Sequence, residues 1–140
     1  MVTLANEAAL AERLADMLPA RQQLAMAAGL TMRITCPLAG RDLPDLPEAL
    51  GPRLAVARAL LGGMRPEEFQ GADALVITHQ AGFSEVSQSG RDFLYRFGLP
   101  NFFFHLTMGY AALRVAGVPL GKADFDGFHA YPPDFRLSDA

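Results

Sequence analysis

The sequence predicts an all-α fold, mainly helical, with one small β-hairpin ahead of its last long helix. Three observations lead there. Long stretches rich in Ala, Leu and Glu carry apolar residues at helical spacing. Prolines and glycines separate these stretches, as short connections require. One segment alone switches to alternation about a glycine-containing turn. At 140 residues the chain fits one domain, with a bundle core over about 5–127 and an extended tail over 128–140.

Residues 5–18 (ANEAALAERLADML) place Leu10, Leu14, Met17 and Leu18 on one helical face, with Thr3 or Asn6 available as a cap. Pro19 interrupts this run, as a kink or as the first turn of a new helix. Residues 20–34 resume the pattern through Leu24, Ala27, Ala28, Leu30 and Ile34, and Gly29 would let a neighbouring helix approach closely. From Cys36 to Pro47 three prolines and a glycine predict a loop. A third helix is expected over 48–63, with Pro52 in its first turn and Gly62-Gly63 at its end, and Pro66 to Phe69 reads as a single helical turn. Alternation over 74–88 around Gln80-Ala81-Gly82 predicts the hairpin, which must lean on the helices because two strands alone are marginal. Gly90 to Phe97 then reads as a short helix and Leu99 to Ala116 as a long one, with Gly117 as its left-handed terminator and Pro119 beyond. The long helix is apolar all round, which predicts the central, most buried position.

Composition limits the function classes. A net charge of −3, with twelve scattered Lys and Arg, argues against a nucleic-acid partner, which would need a basic face. No apolar run approaches the roughly 20 residues of a membrane span. Cys36 is the only cysteine, so no internal disulfide or four-cysteine zinc site can form, and no signal peptide is read. The expected location is the cytoplasm. Only 19% of residues are charged against a usual value of roughly 25%, which predicts that self-association, as a homodimer, covers part of the apolar surface.

The stretch Leu99-Pro100-Asn101-Phe102-Phe103-Phe104-His105, then Tyr110-Ala111-Ala112-Leu113-Arg114, then Gly117-Val118-Pro119-Leu120-Gly121-Lys122-Ala123-Asp124-Phe125 is distinctive. It resembles the C-terminal signature of an uncharacterised bacterial family in the DinB/YfiT-like superfamily of helical bundles. Arg13 to Pro19 followed by Gln23 resembles the start of that family's second helix, and Phe93 to Phe97 after the hairpin matches in kind. The resemblance covers about residues 12–127. It implies a DinB/YfiT-like bundle lacking the first helix, because only about a dozen residues precede the matching point. A two-fold homodimer would supply the cover, with segment 5–18 packing across the partner.

That superfamily includes three-histidine metal binders and thiol transferases. Here His79, His105 and His129 lie in a hairpin, a helix and a tail, without a His-x-x-x-His pair, so neither metal nor cofactor is expected. His105 is expected in the interior, bonded to a backbone carbonyl or to Gln23; its sharper role is a pocket-lining acid or base. Asn101 reads first as the cap of the long helix. Cys36 reads as structural, Lys122 and Asp124 as ion-paired turn residues, and Ser84 and Glu85 as an exposed hairpin face. The leading expectation is a small-molecule-binding protein whose pocket is lined by His105, Gln23, Tyr110, Asn101 and His79. The alternatives are a metal-dependent hydrolase or transferase and a structural dimerisation module.

Overall fold

A computed structural model describes residues 2–132 and 135. A 3-10 turn at Val2–Leu4 leads into α1 (Glu7–Ala11), whose first turn is capped by Asn6: its Oδ1 accepts the Ala9 N–H at 2.9 Å. The helix expected over 5–18 stops here. Glu12 is already extended, Ala15 has a positive φ of 49°, and the Glu12 carbonyl accepts the Ala20 N–H at 2.7 Å. The chain thus folds back on itself, and Leu10 packs with Leu24, Ala112 and Leu113 in a core of its own chain. Of segment 5–18, Ala9 and Leu10 are thus buried within the chain itself, while Leu18 is 44% exposed.

Pro19 stands at the N-terminal boundary of α2 (Ala20–Leu38), where its missing N–H costs nothing. This helix runs through Cys36 and Pro37, overturning the loop expected from Cys36. Burial explains the extension: Cys36 packs with Met32 and Ala57, and Leu38 with Ile34 and Phe93, so the last turn is held by side chains on two sides. The loop begins only after Leu38, and α3 (Leu50–Gly62) follows with Pro52 in its first turn. Pro66–Phe69 is a 3-10 turn, closed by Glu68, whose Oε1 accepts the Arg65 N–H at 2.9 Å.

The hairpin pairs β1 (Val76–Ala81) with β2 (Ser84–Ser89) antiparallel, with Thr78 opposite Ser87 and a two-residue turn at Gly82-Phe83, where Gly82 takes a φ of 64°. Ile77 lies on the inward face and joins Leu30, Ile34, Leu38 and Phe93, so the hairpin leans on α2 as expected. Ser89 caps α4 (Gly90–Asp92), and a π-helical turn (Phe93–Gly98) joins it without a break to α5 (Leu99–Val115). One continuous helical run thus replaces the expected pair. Within the wide turn the Leu99 N–H reaches back to the Leu94 carbonyl, five residues away, just before Pro100 withdraws a donor. Helix α5 ends as expected: Gly117 has a φ of 80°, Val118 N–H bonds the Leu113 carbonyl at 3.0 Å and Gly117 N–H bonds the Arg114 carbonyl at 3.0 Å. A short α6 (Lys122–Asp126) follows. Asp124 accepts the Gly121 N–H at 2.8 Å, so it is a cap rather than an ion-pair partner of Lys122.

The central helix is α2, whose buried residues run from Ala20 to Leu38 and which packs on α1, α3 and α5. Helix α5, expected to be the most buried, leaves Phe103 and Phe104 each 49% exposed. Its close approach to α2 comes from Gly109 and from Gly98 at the end of the preceding π-helical turn, rather than from Gly29. A Cβ on Gly109 would sit 2.8 Å from Leu24, and one on Gly98 would sit 3.0 Å from Ile34, whereas Gly29 has 3.7 Å to Leu46. Of the expected tail, 133–134 and 136–140 lie outside the described residues; Phe135 stacks on Tyr131 at 4.7 Å.

Candidate functional site

Gln23 is the only polar residue buried as a whole among the described residues, 2% exposed in the first turn of α2. A buried amide needs partners. It has one in His105, nearly two turns into α5, whose Nδ1 lies 2.7 Å from Gln23 Oε1. The oxygen can only accept, so Nδ1–H donates and the ring is held as the tautomer that keeps a lone pair on Nε2. Nε2 makes no hydrogen bond to the described residues. His105 is half-buried rather than interior, with the Phe104 ring edge-on at 5.2 Å. Burial lowers its pKa below the usual histidine value, which keeps the ring neutral at pH 7. The pair therefore presents a fixed, uncharged hydrogen-bond acceptor beside an exposed aromatic face.

The other sequence candidates are placed elsewhere. Asn101 does not cap α5, because the helical run continues through Gly98 and Leu99; its Nδ2 donates instead to the Phe97 carbonyl at 2.6 Å. Tyr110 meets the edge of Phe125 from α6 at 5.5 Å. His79 sits on the inward face of β1 against Phe93 and Phe97, with ring centroids 4.9 and 4.1 Å away. Both of its ring nitrogens, and Gln88 Oε1 on the paired strand, are buried without hydrogen-bond partners. None of these three bonds to the His105–Gln23 pair. His129 is bonded to Asp126, whose carboxyl is held below its usual range first by the Phe128 N–H. Among the described residues no three His, Cys, Asp or Glu side chains are grouped to hold a metal ion. Burial pushes the Cys36 thiol up, away from the thiolate that thiol chemistry needs.

Sequence reasoning missed a cleft between α2, α3 and the loop joining them. Met26, Gly29, Leu30, Arg33, Leu46 and Arg53 line it, and Arg53 is committed to the Pro47 and Ala25 carbonyls at 2.6 and 3.2 Å. It encloses about 20 Å³, room for a water molecule but not for a metabolite. The Gly29 position was the only signal of it in the sequence.

The lowered pKa of His105 has a consequence for stability. The unfolded chain, with its histidine at the usual 6.5, binds a proton that the folded chain resists. Stability from this residue is therefore intact above pH 6.5 and lost as pH falls through the folded value. Glu68 adds a second, more acidic window. Arg41 donates to it at 2.5 and 2.7 Å and holds its pKa down to about 2, so that contribution is lost between 4.5 and about 2. Melting temperature measured against pH should fall in two stages, and His105→Phe should remove only the upper one; an unchanged upper stage in that variant contradicts the assignment.

Residues 2–126 match a family described as a domain of unknown function (DUF1993). No curated protein matches the chain. Among solved structures it is similar to a DinB family member protein from Shewanella denitrificans, at 28% identity and a TM-score of 0.76, over 88% of this chain and 74% of that one.

Proposed function

This chain belongs to the family described as a domain of unknown function (DUF1993), and from that premise we propose that it binds a small organic molecule at the open edge of the His105–Gln23 pair. One observation carries the reading. The only polar residue buried as a whole among the described residues is spent on orienting a histidine whose second nitrogen bonds none of them. A helix-packing role alone would be served by an apolar residue at Gln23, since a core tolerates volume-conserving apolar replacements. A neutral, tautomer-locked Nε2 beside Phe104 suits a ligand with an apolar body and one hydroxyl or N–H donor. His79 and Tyr110 make aromatic contacts elsewhere, whereas Asn101 lies one turn before His105 on the same helix and borders the proposed site.

We place the protein in the bacterial cytoplasm, where the single buried thiol of Cys36 stays reduced. No helix among the described residues is long and apolar enough to cross a membrane.

Phenol and benzyl alcohol are suitable probes, each having an aromatic body and one hydroxyl. Titrated into the protein, they should shift the His105 ring resonances saturably. His105→Phe should abolish binding, and Gln23→Leu, which releases the tautomer, should weaken it by roughly tenfold, the worth of one hydrogen bond of about 1–1.5 kcal/mol. Linear, unsaturable shifts, or saturable binding untouched by His105→Phe, would refute the site.

A further inference from the structure

The uncovered face of α5 has a regular geometry. Pro100, Phe103, Phe104, Thr107 and Val115 are exposed along it and Ala111 is half-buried. Phe103 and Phe104 are each 49% exposed and Val115 65%. Steps of three and four residues from Pro100 through Phe103, Thr107 and Ala111 to Arg114 make this one continuous seam, of the period that pairs helices side by side. Between Arg96 and Arg114 the helical run carries no Lys, Arg, Asp or Glu at all. A solvated stripe of this length without a charge is unusual for a free surface.

We propose that a second copy of this chain covers this face, its α5 running antiparallel across a two-fold axis at Thr107. Two features of the seam select that occupant. Reflection through Thr107 sets the bulky Phe103 of each copy against the small Ala111 of the other, so each large residue meets its own hole. In a parallel pair each Phe103 would instead meet the Phe103 of the other copy, and each Ala111 its own counterpart. The area is also sufficient: seventeen residues of α5 span about 25 Å, and such a face offers roughly 1,000 Å² in total to a two-fold contact, the lower bound for a specific interface. Because Leu10 and Leu113 are already buried within one copy, this contact joins folded subunits. The inference does not depend on the ligand site, although Phe104 of the seam also borders His105.

Sedimentation equilibrium of the full chain from low to high micromolar concentration tests the association, and two variants test its geometry. Wild type should be a dimer in that range. Thr107→Glu brings two like charges together on the axis and should give a monomer whose circular dichroism and cooperative melt match wild type, since Thr107 is exposed. Mixing Thr107→Glu with Thr107→Lys should restore a mixed dimer. In a Cys36→Ser background, Thr107→Cys should cross-link quantitatively between copies under mild oxidation. A wild-type monomer throughout the range would overturn the proposal and leave the face to a further segment of a longer chain or to a foreign protein. A dimer that survives Thr107→Glu, or fails to cross-link through Thr107→Cys, would overturn it too, by placing the interface elsewhere.

Discussion

Gly90→Ala should destabilise the fold by about 3 kcal/mol or more, the upper range for overpacking a rigid site. The cause is space rather than backbone conformation. A Cβ at this position would lie 1.8 Å from the Ala72 carbonyl oxygen, 2.9 Å from its carbon and 3.0 Å from Leu38 Cδ2. The oxygen cannot rotate aside as a side chain could, because it belongs to the short 3-10 turn Ala72–Ala74. Nor can Gly90 retreat: its N–H is bonded to the Leu75 carbonyl at 2.7 Å, and Ser89 caps the helix that it begins. Relief would require the hairpin to lift from α2, exposing Ile77 and Phe93. Gly98→Ala is the informative comparison. Its nearest neighbours are the side-chain carbons of Ile34 at 3.0–3.2 Å, which can shift, so the loss should be smaller. Equilibrium denaturation of both variants checks this, and a Gly90→Ala protein within 1 kcal/mol of wild type contradicts the stated packing, since overpacking typically costs about 1–3 kcal/mol.

Leu113→Ala should cost about 2–5 kcal/mol, the range for emptying a leucine-sized space in a packed core. Leu113 is fully buried where Leu10 of α1, Leu24 of α2 and Leu50 of α3 meet Val118 and Leu120 beyond α5. Elements on several sides are fixed to one another there, so the space cannot close by a single local movement. The Leu113 carbonyl also accepts the Val118 N–H, which ties the residue to the terminator of α5. Leu61→Ala, on a side chain 38% exposed, serves as the control and should lose well under half as much. Equal losses at the two positions would mean that this core is not the one that holds the helices together.

Local chemistry in the sequence was sufficient for much of the fold. Asn6 caps α1, Pro52 sits in the first turn of α3, Gly82 turns the hairpin and Gly117 ends α5, because each depends on one residue's own geometry and its near neighbours. The contact between His105 and Gln23 was legible for a different reason: a polar residue on each of two apolar helices has few other ways to be satisfied. Where propensity and packing disagreed, packing won. Residues 12–18 have helix-forming composition yet turn back so that Ala20 can bond Glu12, and Pro37 stays helical because Cys36 and Leu38 on either side of it are buried. Asn101 and Pro100 read as a helix start, but Phe93, packed with Ile34 and Leu38, carries the helical run straight through them.

Which faces are covered was decided only by the tertiary structure. The apolar pattern of α5 says that every side needs cover, and it cannot say which neighbours supply it. Gly98 and Gly109 bring α5 against α2 on one side, and the opposite side, with Phe103 and Phe104, is left open. His79 shows the same limit, since alternation puts it on the inward face of β1 but not against Phe93 and Phe97. Helical and strand periods are properties of a few successive residues, whereas burial depends on residues tens of positions away. The sequence therefore determined most of the elements and several of their ends, and the packing of distant residues determined the rest and which of its polar and aromatic side chains form a site.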